Sequence, residues 1–182
     1  MRTWVIGAAA VLLAISAAFG GLKKAADDTP QVAAGTPIDA GWYEVTVDRV
    51  VVVPDLKPLY TPDDGGTLIA VVTKLKLTDK TGVTPDSSLI RLIGVPGIKD
   101  TDAPIGTTNL RDQTPNPVLT PEYGDDVAFV WKLPKATKLP TEAKLTVQHY
   151  EHIEDSALDH HEKWNPDKAA AVSTLKVKDN TK

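Results

Sequence analysis

The chain of 182 residues contains no cysteine, and this absence excludes several kinds of protein. Without cysteine there is no disulfide framework and no thiolate zinc site. The lipidated cysteine that anchors a bacterial lipoprotein is excluded as well. If the protein is tethered to a membrane, a hydrophobic segment of the chain must therefore serve as the tether.

Clusters of basic residues are also missing. The chain has 20 Lys and Arg against 24 Asp and Glu, a formal net charge of −4. Nucleic-acid binding requires Lys and Arg gathered in a patch or stripe that contacts phosphates. The sequence has no such stripe, so nucleic acid is not expected as a partner.

Enzyme signatures form a third absence. The sequence has no G-x-S-x-G nucleophile elbow, no H-E-x-x-H zinc motif and no P-loop. It therefore predicts a protein that is not an enzyme and that needs no cofactor. An exported hydrolase is the alternative, and it would require a pocket with converging polar groups.

The N-terminus carries the longest apolar run, MRTWVIGAAAVLLAISAAFGGLKK. No charged residue lies between Arg2 and Lys23, and a helix needs about 20 apolar residues to cross a bilayer. We predict an uncleaved signal anchor over residues 1–22, a single pass through the cell membrane with the C-terminal domain outside. The side chains expected to face the membrane are Trp4, Val5, Ile6, Val11, Leu12, Leu13, Ile15 and Phe19.

A cleaved signal peptide is the alternative interpretation of the same run. Ser16-Ala17-Ala18 has the small-x-small pattern of a cleavage site, and cleavage there would yield a secreted protein. Arg2 is the one charged side chain among residues 1–21, so the rest of the chain has 19 basic and 24 acidic residues, a charge of −5.

Residues 23–40 are rich in small residues and proline and predict a flexible stalk. From residue 41 to 178 the pattern is all β, and 179–182 form a tail. In 42–53, alternating apolar positions change phase near Arg49, which indicates a bulge. Further strands are expected at 67–80, 87–97, 125–134, 142–152 and 170–178, with an irregular connection at 107–118.

About seven strands separated by turns predict an antiparallel, immunoglobulin-like β-sandwich, and a small β-barrel is the alternative. Two segments are similar to bacterial extracytoplasmic domains of the telokin-like or DUF4352-like immunoglobulin-like type: GGTLIAVVTKLKLTDK (65–80) and LTPEYGDDVAFVWKLP (119–134). The resemblance extends over roughly residues 38–178 and implies a sandwich behind an N-terminal signal and a stalk. It implies no catalytic residues.

All four histidines lie in HYEHIEDSALDHHEKW, residues 149–164, among carboxylates. Imidazole and carboxylate bind transition metals, so His152, His160, His161 and Glu154 are candidate ligands. In a regular strand His149 and His152 would face apart, so a metal site requires the 153–163 connection to fold back. The alternatives are a solvated polar connection and a pH-sensitive surface.

Two other residue groups have candidate roles. Asp125-Asp126 and similar acidic pairs could ligate calcium, although they are also common in turns. Trp131 is expected in the core, whereas Trp42 could face the membrane or a partner.

Together these features predict a non-catalytic binding or accessory module, membrane-tethered or secreted, with a protein partner in the membrane or cell envelope. Recognition is expected on the long loops at 55–66 and 96–124. The alternative function is a metal-binding envelope protein that uses the histidines of 149–161. No small-molecule ligand is indicated by the sequence.

Overall fold

The computed structural model describes residues 29–62, 65–79, 81–121, 123–154 and 163–181. They form eight β-strands and, within these ranges, no helix, which confirms the all-β prediction. The strands are β1 (Pro37–Asp39), β2 (Tyr43–Val53), β3 (Thr67–Leu77), β4 (Ile90–Ile93), β5 (Gly106–Asn109), β6 (Gly124–Leu133), β7 (Glu142–Ile153) and β8 (Lys163–Asp179).

The strands form two layers that share one core. The order along the hydrogen-bonded path is β4-β7-β8-β2-β3-β6-β5, and β1 pairs with β2. Strand β8 belongs to both layers: most of its length is antiparallel to β7, and its last residues run parallel to β2. The core lies between the layers and contains buried apolar residues from both, so the fold is a β-sandwich.

Strand β2 shows why a register shift is needed. Tyr43, Val45 and Val47 are buried, and the pairing with β3 shifts between Val47 and Arg49. Because of that shift, Val50 and Val52 point into the same core, as the sequence predicted. Without the bulge, the second half of the strand would turn its valines to the opposite face.

Strands β3 and β6 supply the centre of the core. On β3, Ile69, Val71 and Leu75 alternate inward while Lys74 and Lys76 are exposed. The alternating row of β6 is buried as well: Val127, Phe129, Trp131 and Leu133. The strands expected at 67–80 and 125–134 are therefore confirmed, and Trp131 is, as expected, a core residue; its indole N–H donates to the Asp102 carbonyl at 3.1 Å.

The opposite face of β3 is not open to water along its whole length. Leu68, Ala70 and Val72 are buried in a second apolar cluster with residues of β6. The chain between β2 and β3 covers them with Leu56 and Tyr60. Part of the loop that we expected to carry recognition therefore serves as a cover for the sheet.

The segment before the sandwich differs from the sequence-based expectation. The predicted stalk extended to residue 40, but β1 pairs with β2, and Val32 N donates to the Val172 carbonyl at 2.9 Å. Ser173 Oγ donates to the Val32 carbonyl at 2.6 Å. Residues 29–40 thus contact the sandwich through backbone hydrogen bonds. Such bonds do not depend on a periodic pattern of apolar residues, so the sequence did not predict this contact.

Two further boundaries are corrected. Strand β5 lies where an irregular connection was expected, and β8 begins at Lys163 instead of residue 170. The early part of β8 is polar and pairs with the end of β7 as a hairpin arm, residues 148–153 and 163–169. The pairing of this early part depends on backbone hydrogen bonds to β7 more than on burial of its side chains.

The predicted membrane segment, with all of its candidate side chains, lies outside the described residues. Among the residues that are described, no helix has the length and apolar character needed to cross a membrane.

Gly41 gives a test of the contact between the layers. Its φ is +77°, and a Cβ there would lie 1.9 Å from the Tyr150 carbonyl oxygen. We expect Gly41→Ala to lower the free energy of unfolding by about 3 kcal/mol or more, from backbone strain and steric overlap. Urea unfolding measures it.

Gly35→Ala is the matched control. Gly35 has a φ of +79° with nothing within 4 Å of an added Cβ, so it tests the backbone effect alone. The expected loss is about 1 kcal/mol. Equal losses in the two variants would contradict the close approach at Gly41.

Candidate functional site

Exposed large hydrophobic side chains mark one segment of the molecule. Among the described residues they all lie between positions 105 and 123: Ile105 (43% exposed), Leu110 (37%), Val118 (64%) and Tyr123 (71%). Apolar side chains that gather on one surface indicate an interaction site more strongly than the same residues scattered singly. This segment includes β5 and the connection to β6.

The connection from β5 to β6 is held in shape by short polar turns. Asn109 Oδ1 accepts from Arg111 N at 2.9 Å, and Asp112 Oδ1 accepts from Thr114 N at 3.0 Å. Side-chain oxygens that accept from the backbone two residues further on stabilise such turns. Leu110 N also donates to the Asp126 carbonyl at 2.8 Å, which fixes the start of the connection against β6.

The same connection covers the outer edge of β5. Asn109 N donates to the Thr114 carbonyl at 3.0 Å, and Asn116 N donates to the Thr107 carbonyl at 2.9 Å. The covering residues include Pro115 and Pro117, which lack an N–H and cannot continue a hydrogen-bonded ladder. A partner chain therefore meets a closed edge here, and strand addition at β5 is disfavoured.

A cleft of about 410 Å³ lies beside this edge, and Asp125 stands in its wall. Asp125 is 9% exposed and follows the inward alternation of β6. Its Oδ1 accepts from Asn109 Nδ2 at 3.1 Å and lies 3.4 Å from Arg111 Nη2. The Arg111 side chain is 79% exposed, so solvent weakens this ion pair.

The remaining wall of the cleft combines hydroxyl groups with apolar surfaces. Thr114 and Thr120 bring hydroxyls, and Val118 and Tyr123 bring exposed apolar atoms. A smaller cleft of about 160 Å³ lies on the other side of Asn109, between Leu56 and Leu110. The two loops in which we expected recognition, 55–66 and 96–124, thus meet around β5.

The histidine segment divides between the hairpin arm and residues outside the described part. His149 is half-buried, with Nδ1 4.0 Å from Asp167 Oδ2 and beyond hydrogen-bond reach. His152 is exposed, and its ring packs on Trp164 with centroids 4.9 Å apart. Glu154 is exposed, and His160 and His161 lie outside the described residues.

A metal site is not assembled by the residues that the structure describes. Nowhere in those ranges do three His, Cys, Asp or Glu side chains come together in a way that could hold an ion. The predicted ligand set rests on His160 and His161, so it stays a prediction. Asp125, a candidate calcium ligand, is engaged instead by Asn109 and Arg111.

An aromatic cluster joins the hairpin arm to the core. Trp42 stacks on Trp164 with centroids 5.8 Å apart, and it also contacts Tyr43 and Tyr150. Trp164 Nε1 donates to Asp79 Oδ2 at 3.2 Å. Trp42, which we allowed as a contact for a membrane or partner, thus packs between the core and the arm.

Burial of the cluster changes the acidity of its phenols. Burial raises the pKa of Tyr43 to about 12, and it raises the pKa of Tyr150 as well. Tyr150 OH shares a hydrogen bond of 2.9 Å with Ser88 Oγ. Both phenols are therefore kept neutral, and they have packing roles far from the cleft.

The sequence indicated the region of the cleft only as part of the long loop 96–124. Asp125 was noted as half of an acidic pair, but its role with Asn109 and Arg111 depends on the contact between β5 and β6. Tyr123 is adjacent to a buried strand and reads as an ordinary flanking residue. A useful signal was present in NLRD (109–112), since Asn and Asp two or three positions apart are typical of consecutive turns.

Comparisons with known proteins bear on the fold. No protein family matches the sequence, and no curated protein is similar to it. A crystal structure of an uncharacterized β-sandwich protein from Clostridium difficile 630 is similar, with a TM-score of 0.51 and 18% sequence identity. The match covers 85% of this chain and 99% of that chain, and it shows a shared β-sandwich fold.

The aromatic cluster predicts a loss of stability in alkali. Unfolded tyrosines lose their proton near pH 10, whereas folded Tyr43 does so near 12. Between these values the unfolded state binds fewer protons, so stability present below pH 10 is lost as the pH rises towards 12. We expect the free energy of unfolding to fall over this range.

Urea unfolding at a series of pH values measures this loss, and Tyr43→Phe provides the control. Phenylalanine cannot ionise, so the variant should lose less stability between pH 10 and 12 than the wild type does. An identical pH dependence in both proteins would contradict the raised pKa of Tyr43.

Proposed function

We propose that this chain is an exported, non-catalytic binding module whose β-sandwich attaches to a component of the cell envelope. The observation that carries the proposal is that the exposed large hydrophobic residues of the described part all lie on 105–123, and that two of them, Val118 and Tyr123, line the cleft with Asn109 and Asp125. A surface with these features is typical of recognition, because it offers apolar contact and fixed polar groups together.

The proposed location follows from the N-terminal sequence. The uncharged run of residues 3–22 supports a signal anchor, and the absence of cysteine leaves no lipid attachment as a substitute. The cell membrane, with the sandwich outside, is the favoured location, and secretion after cleavage is the alternative. N-terminal sequencing of the mature protein distinguishes the two.

The immunoglobulin-like assignment is also part of the proposal. The resemblance of residues 65–80 and 119–134 to telokin-like or DUF4352-like domains supports it, and so does the two-layer arrangement. The resemblance implies an extracytoplasmic sandwich without catalytic residues, which agrees with a binding function and with the lack of enzyme motifs in the sequence.

The binding surface is tested in the cells that produce the protein. Full-length protein is released from membranes with a mild detergent and sedimented in a sucrose gradient. We expect the wild type to migrate in a complex heavier than the free chain. The double variant Val118→Ser, Tyr123→Ser should migrate as the free chain, because it removes the two most exposed apolar side chains.

Lys176→Ser is the matched control, since this exposed residue lies on β8, away from the cleft. It should sediment with the wild type. Wild-type protein that migrates alone, or a double variant that still migrates in the complex, would refute the proposed surface.

A further inference from the structure

The cleft beside β5 combines hydrogen-bond donors and acceptors with an exposed aromatic ring. Arg111 donates, the Asp125 carboxylate accepts, and the hydroxyls of Thr114 and Thr120 can do both. Tyr123 adds a ring that is 71% exposed. A ligand that fits must therefore offer donors, acceptors and an apolar face within a short distance.

Asn109 and Asp125 are held in place before any ligand arrives, whereas the Arg111 side chain is 79% exposed. The side-chain amide of Asn109 makes both contacts: Nδ2 donates to Asp125 Oδ1, and Oδ1 accepts from Arg111 N. Both contacts to Asp125 use Oδ1, and among the described residues no hydrogen bond occupies Oδ2. Asp125 Oδ2 can therefore accept a hydrogen bond from a ligand that donates.

The exposed ring of Tyr123 forms an apolar contact surface at the mouth of this polar site. Val118, 64% exposed, extends the apolar surface, and Pro117, which is buried, also lines the cleft. Aromatic side chains give a large rigid contact area with little loss of conformational entropy. Planar C–H surfaces pack well against such a ring.

Three other ligand classes fit the site less well. A polyanion is disfavoured because the described lining of the cleft has two carboxylates, Asp112 and Asp125, against one guanidinium, and the chain is acidic overall. An extended peptide cannot add to β5, since residues 114–116 already cover that edge. A purely apolar molecule would leave the polar groups of the wall unpaired.

We infer that this cleft binds an uncharged saccharide, an inference that rests on the proposed binding function and specifies its ligand class. A sugar ring has an apolar C–H face, which would lie on Tyr123. Its edge has neighbouring hydroxyls that donate and accept, which suits Asp125 Oδ2 and the free N–H groups of Arg111. The volume of about 410 Å³ is in the range of ligand sites and suits a short oligosaccharide.

The test uses the full-length chain, purified in a detergent whose headgroup is not a sugar. Isothermal titration measures binding of neutral oligosaccharides built from glucose, galactose, mannose or N-acetylglucosamine, and of one sulfated glycan. We expect at least one neutral oligosaccharide to bind. Tyr123→Ala should weaken that binding about tenfold or more, through lost stacking, whereas Tyr123→Phe should retain it.

Arg111→Ala should weaken the binding to a similar degree, since it removes donors without opening the core. Ile105→Ala is the control: this residue is exposed on the same segment but outside the cleft, so affinity should not change. Failure of every neutral oligosaccharide to bind, tighter binding of the sulfated glycan, or unchanged affinity in both Tyr123→Ala and Arg111→Ala would overturn the assignment.

The gradient experiment separates this inference from the proposed function. If the heavy complex depends on Val118 and Tyr123 but no saccharide binds, the saccharide assignment falls, and a protein partner on the same surface stands. If the complex is unaffected by the double variant, the proposed surface itself falls.

Discussion

The close approach between the backbone of Gly41 and the carbonyl of Tyr150 is the constraint on which the sandwich depends. The carbonyl of Ala40 accepts from Tyr150 N at 3.0 Å, so the start of β2 is joined to β7 across the two layers. Only glycine fits, because an added Cβ would lie 1.9 Å from the Tyr150 oxygen. Trp42 and Tyr43 follow directly and are thereby placed in the aromatic cluster that supports the hairpin arm.

The parts of the fold that sequence could predict are those in which a long alternating row faces one core. The bulge near Arg49 and the inward rows of β3 and β6 were readable because burial leaves a period of two. No such period of two is present in strand β1, in the 29–32 segment or in the arm of β8. They are held by backbone hydrogen bonds and by partner strands, and these act independently of side-chain type.

From the sequence, the candidate site could be predicted only as a region, and the physical reason is the same. A cleft depends on which loops meet in space, and the meeting of 54–62 with 110–113 around Asn109 is set by the tertiary fold. The metal site proposed for the histidine segment stays a prediction, because His160 and His161 lie outside the described residues. Within the described residues His149 and His152 have separate neighbours: His149 Nδ1 lies 4.0 Å from Asp167 Oδ2, and the His152 ring packs on Trp164.

The core and the cleft are connected through one strand. The row of β6 that packs Val127 and Phe129 into the core continues outward to Asp125, which occupies an inward-facing position beyond the apolar residues. A carboxylate at such a position needs polar neighbours, and the end of β5 supplies Asn109. The residues after β5 cover its edge and form part of the cleft wall beside this polar pair. Tyr123 lines the same cleft and stays exposed. The features that complete the sandwich at this end therefore also create the proposed binding surface.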